Sequence, residues 1–166
     1  GVTWIGEYFG DTMLVNGKVW PFLEVEPRMY RFRILNGCNA RILSLDIGGP
    51  ALWQIGAEGG MWDVPVAVKK LVLAPGERAD VLVDFRKFRG ARLVLKNHKP
   101  ERPVSNPAPS LEQVMQIRVG TTVSQPGPTS IPSSLPGRKA DLGGPVATRY
   151  ITLNEINPEE VEWFLN

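Results

Sequence analysis

Two side chains stand out as possible ligands or nucleophiles because each is alone of its kind: His98 and Cys38. One imidazole cannot build a histidine-rich metal centre. No acid sits beside His98, so no serine or cysteine gains the oriented base that nucleophilic catalysis needs. His98 follows an apolar run, between Asn97 and Lys99, as a loop histidine does; a ligand or proton relay facing another domain is the sharper alternative. Cys38 lies in Gly37-Cys38-Asn39, where it reads as a small half-buried thiol or as a disulfide partner of a cysteine outside this sequence. The methionines are scattered. Asp80 and Asp84 read as exposed or salt-bridged strand carboxylates rather than catalytic acids. Gly56 to Gly60 lacks the Gly-x-Gly of a phosphate loop, so a plain loop is expected. Trp20, Trp53 and Trp62 read as core or inter-domain packing rather than a platform for an aromatic ligand or a glycan. No residue is assigned a catalytic, cofactor-binding or metal-binding role.

The elements that position these residues are short. In Lys70–Phe85, the turn dipeptide Pro75-Gly76 separates Leu71-Val72-Leu73 from an alternating run. Ala79, Val81, Val83 and Phe85 share one face; Arg78, Asp80, Leu82 and Asp84 share the other. The expectation is a hairpin of Val66–Ala74 with Glu77–Phe85, its charged face carrying Arg78 and Asp80 roughly 7 Å apart at ~3.4 Å per residue. Upstream, Asn16-Gly17 between Met13-Leu14-Val15 and Val19-Trp20 is a type I′ hairpin signal. Glu24–Asn36 alternates with Tyr30, Phe32 and Ile34 on one side. Arg41–Ile47 and Leu52–Ile55 are further strands, and a loop around Trp62 is bounded by Gly59-Gly60 and Pro65. Ala91–Asn97 follows, then a proline-rich loop from Lys99 to Ser110, then Leu111–Gly120. Nine or ten short strands with turn signals every 8–12 residues give an all-β Greek-key sandwich or barrel.

Composition agrees. Fifteen prolines and 17 glycines cut the chain into short pieces, and 43% hydrophobic residues are enough for a core. The net charge of +2 comes without a long Lys/Arg run, which sets nucleic acid aside. No stretch nears the ~18–20 apolar residues of a membrane span. Thr121–Thr148 is a linker by composition, rich in Pro, Ser, Thr and Gly. Tyr150–Asn154 is one more strand. In Glu155–Asn166, Asn157-Pro158-Glu159-Glu160 carries helix-start chemistry, but Val161, Trp163 and Leu165 alternate, and a strand without its partner is expected.

Several motifs occur together and in order: Glu7–Thr12, Leu14–Pro21, Glu24–Pro27, Tyr30–Arg33, Leu35-Asn36, Gln54–Gly60 and Leu73–Val81. This series resembles the middle cupredoxin domain of bacterial multicopper oxidases, in the branch of spore-coat laccases, bilirubin oxidases and phenoxazinone synthase. Arg149–Asn154 is similar to the opening strand of that family's third domain. The resemblance implies residues 1–120 as a copper-free second domain, 121–148 as the linker and 149–166 as the truncated start of the third. It also implies an oxidoreductase that oxidises phenolic or bilin-type donors and reduces dioxygen to water. Copper would be held by the first and third domains, which are the partners implied, with an extracytoplasmic or spore-coat setting open to it. A blue copper site needs two histidines and a cysteine; with one histidine this chain is expected to hold no copper and to be inactive alone. The alternative is a copper-free cupredoxin-domain scaffold with an interaction role.

Overall fold

Strands here alternate side chains at a period of two, so each buries one face and must find a second sheet to cover it. A computed structural model describes residues 8–99, 111–137, 143–156 and 162–165. The described residues form thirteen strands and no helix. They fall into two compact units, one within residues 8–137 and a smaller one of residues 143–156 and 162–165.

The larger unit is a two-sheet sandwich. One sheet runs β3 (Phe22–Val25), β11 (Gln113–Val119), β10 (Arg92–Asn97), β5 (Leu43–Asp46), β8 (Leu71–Leu73); the other runs β4 (Met29–Leu35), β9 (Arg78–Asp84), β6 (Leu52–Ala57), β7 (Gly60–Val68). Of these neighbours only β3 and β11 are parallel; sequential strands repeatedly change sheet, which is the Greek-key arrangement. The hairpin β1 (Leu14–Val15) and β2 (Lys18–Val19) turns through Asn16 at φ 49° and Gly17 at φ 78°, the left-handed pair that a type I′ turn requires.

The alternating face of β9 is the centre of the core. Ala79, Val81, Val83 and Phe85 are buried, with Val81 and Phe85 at 0% exposure. Each such Val or Phe removed from water contributes roughly 1.5–3 kcal/mol. Tyr30 and Phe32 of β4 meet Phe85 edge-on at 5.9 and 6.3 Å between ring centroids. Leu43, Leu45, Leu71, Leu73, Ile117 and Val119 close the core from the opposite sheet.

Several expectations need correction. The Lys70–Phe85 stretch is not a hairpin: β8 pairs with β5, whereas β9 pairs with β4 and β6 in the other sheet. Pro75-Gly76 is therefore a crossing between sheets, with Gly76 at φ 83°. Val66–Ala74 divides between β7 and β8, and Glu24–Asn36 divides between β3 and β4 around Glu26-Pro27-Arg28. The loop expected around Trp62 is β7, an edge strand, where the missing N–H of Pro65 breaks no inter-strand ladder. Gly56 to Gly60 is not a loop but the end of β6, a two-residue turn at Glu58-Gly59, and the start of β7.

In the smaller unit, β12 (Leu153–Ile156) pairs antiparallel with β13 (Glu162–Leu165). The strand expected in the tail is present, and it has a partner; the Asn157-Pro158 helix-start signal lies outside the described residues.

Candidate functional site

Among the sites that could matter, the sheet-to-sheet crossing is the most tightly built. Asn36, just past β4, is fully buried. Its Nδ2 donates to the carbonyls of Arg41 and Leu73 at 2.8 and 2.9 Å, and its Oδ1 accepts from the Cys38 N–H at 3.0 Å. Its own N–H donates to the Glu77 carbonyl at 3.0 Å and its carbonyl accepts from Gly76 at 2.9 Å. The Glu77 carboxylate caps the same crossing from outside by accepting from the Ala74 N–H at 2.6 Å. One carboxamide thus satisfies the backbone of both turns that leave the sheets, in a place where an orphan amide or carbonyl is costly.

Cys38 belongs to this region. It is free and half-buried, and burial pushes its thiol above the ordinary range, with Arg41 pulling the other way. A thiol so placed is a poor nucleophile. His98 lies at the far end of β10. Its N–H donates to the Ser44 carbonyl at 2.8 Å, and Nε2 faces Asp46 Oδ2 at 3.3 Å. Asp46 is itself held by the Gly48 N–H at 2.8 Å. His98 is thus half-buried on its own strand pair. Among the described residues no group of three or more His, Cys, Asp or Glu is placed to hold a metal ion.

The outer face of β4, β9, β6 and β7 gathers the charges. Asp80 meets Arg31 Nη2 at 2.6 Å, with Arg33 Nε further off at 3.9 Å. Arg78 pairs with Glu58 at 2.6 Å and also donates to the Glu58 and Gly76 carbonyls. Arg78 and Asp80, neighbours on one strand face, therefore turn away from each other, Arg78 to the Glu58-Gly59 turn and Asp80 to β4. These residues and Met61 surround an open hollow of about 360 Å³. Asp84 is clamped by Arg86, whose Nε and Nη2 reach both carboxylate oxygens at 2.6–3.0 Å. That bidentate bond holds the Asp84 carboxyl below its usual range. Both aspartates are salt-bridged, as their strand positions led one to expect.

Trp20, Trp53 and Trp62 do not lie in the core. Trp20 is exposed, and Trp53 and Trp62 are half-buried. The segment that composition marks as a linker touches the sandwich at its described residues. Ser124 N–H donates to Glu26 Oε1 at 3.2 Å, and Leu135 N–H donates to the Asp63 carbonyl on the edge strand β7 at 2.8 Å. The Ser124 bonds hold the Glu26 carboxyl below its ordinary range.

An all-β sandwich of two Greek-key sheets with this strand order is a cupredoxin-type domain, and solved structures similar to it carry that fold in multicopper oxidases. A family profile for multicopper oxidases matches residues 6–105, and this chain belongs to that family of copper-dependent oxidoreductases. It is 44% identical over 120 residues to a laccase of Bacillus subtilis, covering 71% of this chain and 23% of the laccase. It is 36% identical over 155 residues to the multicopper oxidase LPR1 of Arabidopsis thaliana, covering 92% of this chain and 27% of that protein. The crystal structure of the McoA multicopper oxidase from Aquifex aeolicus superimposes with a TM-score of 0.73 at 36% identity, over 91% of this chain and 33% of McoA. The chain therefore spans about a quarter to a third of the length of these relatives.

Proposed function

We propose that this chain is the central, copper-free cupredoxin domain of a longer multicopper oxidase, where it spaces the first and third domains and forms a wall of the substrate crevice. The longer protein would oxidise phenolic or bilin-type donors and reduce dioxygen to water. The observation that carries this reading is a family match over residues 6–105 in a chain with a single histidine.

The donors present do not fit either kind of copper centre. A blue site takes two imidazoles and a thiolate. Here the one imidazole faces Asp46, and the one thiol sits in the Asn36 turn with its pKa raised by burial. No chemical step is assigned to copper within this chain. Its contribution is stiffness: buried faces on both sheets and a polar hub that joins them. The chain alone should oxidise no phenol.

The test is made on the full-length protein. Purified with copper, it should oxidise a phenolic donor with consumption of dioxygen. Full-length protein that takes up no copper and consumes no oxygen would instead support the scaffold alternative.

A further inference from the structure

Exposed aromatic and aliphatic side chains gather where the β1–β2 hairpin leads into β3. Trp20 is 55% exposed and Phe22 is 53% exposed, with Leu14 and Val19 beside them on the β1–β2 hairpin. Trp20 also sits at φ 39°, a left-handed conformation rare for a bulky residue, and its N–H donates to the Met13 carbonyl at 3.3 Å. Strain of this kind persists where the surrounding structure enforces it, and it collects at functional positions. Here it holds an indole outward.

Beside that indole is a hollow of about 250 Å³ lined by Trp20, Phe22, Val94, Met115, Gln116 and Arg118, among others. That volume accepts one large side chain. Arg118 lies over the Phe22 ring at 3.6 Å, held by Gln116 Oε1 at 2.7 Å. Its direct neighbour across the ladder is Arg92. Like charges placed opposite one another weaken a sheet, and Glu24, on the other side of Arg118, is the acidic residue in register with it. An exposed tryptophan, an exposed phenylalanine and an ordered arginine around a hollow have the composition of an interface centre.

We propose that this Trp20–Phe22–Arg118 surface is an intramolecular docking site for another part of the longer polypeptide, a segment that brings an apolar side chain to the hollow and a carboxylate to Arg92 and Arg118. The proposal rests on the reading of the chain as one domain of a longer protein. The relatives, of which it covers 23% to 33%, have ample sequence to supply the occupant. The two facing arginines set its charge.

Hydroxyl-radical footprinting of the full-length protein and of the 166-residue chain reads this residue by residue. Trp20 and Phe22 should be oxidised readily in the chain and severalfold more slowly in the full-length protein. Arg92→Glu in the full-length protein should restore much of their reactivity. Equal reactivity in both proteins would overturn the proposal. So would slow oxidation in the chain itself, which would mean that its own residues cover the patch. Protection that disappears on dilution would point to a second copy and would also overturn it. Copper analysis of the same full-length sample separates the two readings: a copper-free protein sinks the oxidase reading, while the footprint still decides the docking surface.

Discussion

Asn36, where the chain leaves β4, donates from its carboxamide to the carbonyl of Leu73 at the end of β8, 2.9 Å away in the opposite sheet. This one bond, with those to Arg41 and Cys38, ties the two sheets at the point where Pro75-Gly76 crosses between them. Asn36→Ala removes a donor from two buried carbonyls, and should cost about 2–4 kcal/mol. Urea unfolding of the variant checks this; a loss below about 0.5 kcal/mol would show that the hub carries little.

The Arg31–Asp80 and Arg78–Glu58 pairs should behave as separate units. A double-mutant cycle on Arg31 and Asp80 should give a coupling below about 1 kcal/mol, since Arg31 is well exposed, but measurably above zero. The same cycle on Arg78 and Asp80 should give none. A larger coupling for Arg78 with Asp80 would contradict the pairing seen here.

Those two residues also show what the sequence could and could not convey. Alternation correctly assigned Ala79, Val81, Val83 and Phe85 to the core, because burial follows the pleat. Partners did not follow from it: Arg33 lies opposite Asp80 and Arg31 one diagonal away, and cross-strand neighbours are set by register, not by spacing along one strand. The crossing at Pro75-Gly76 was misread for a similar reason. Turn chemistry is local and is the same whether the next strand pairs back or changes sheet. Pro65 hid β7, since proline argues against a strand except at an edge. Asn36 read only as the end of the Glu24–Asn36 strand and as part of the Leu35-Asn36 motif; its role appears only once β8 lies against β5. For the candidate site, the count of histidines was legible at once, whereas the strained Trp20 was visible only as an aromatic before a proline.

Gly56 marks a place where the backbone of β6 and the start of β7 nearly touch. A Cβ there would lie 2.5 Å from the Gly60 carbonyl oxygen, a backbone atom that cannot move aside cheaply. Gly56→Ala should destabilise the chain by about 1–3 kcal/mol. Amide exchange in β7 should quicken first, because β7 is the edge strand held through this hairpin.

The segment after β11 should respond in the same selective way. A Cβ at Gly137 would overlap the Asp63 carboxylate, whereas at Gly127 it would meet Arg28 Cδ at an ordinary 3.8 Å. Gly137→Ala should release Leu135 from the Asp63 carbonyl and speed exchange of its amide; Gly127→Ala should leave that amide unchanged. Equal effects from the two substitutions would contradict a docked segment.

Acid should weaken the fold through Asp84. Its carboxyl is held below the usual range by Arg86, so the stabilisation is fully present above the unfolded carboxylate value of about 3.9 and is lost as pH falls through the lower folded value. Unfolding free energy measured from neutral pH down to about pH 2 should fall along an acid limb, and Asp84→Asn should make that limb shallower. An unchanged slope in the variant would mean that the clamp is worth nothing in solution.

The most direct test of the account is copper binding by the 166-residue chain itself, purified, loaded with excess copper, dialysed and subjected to elemental analysis. A domain with one imidazole, already facing Asp46, should retain far less than one copper per chain and remain colourless. One or more tightly held coppers per chain, or a blue absorption band, would contradict it.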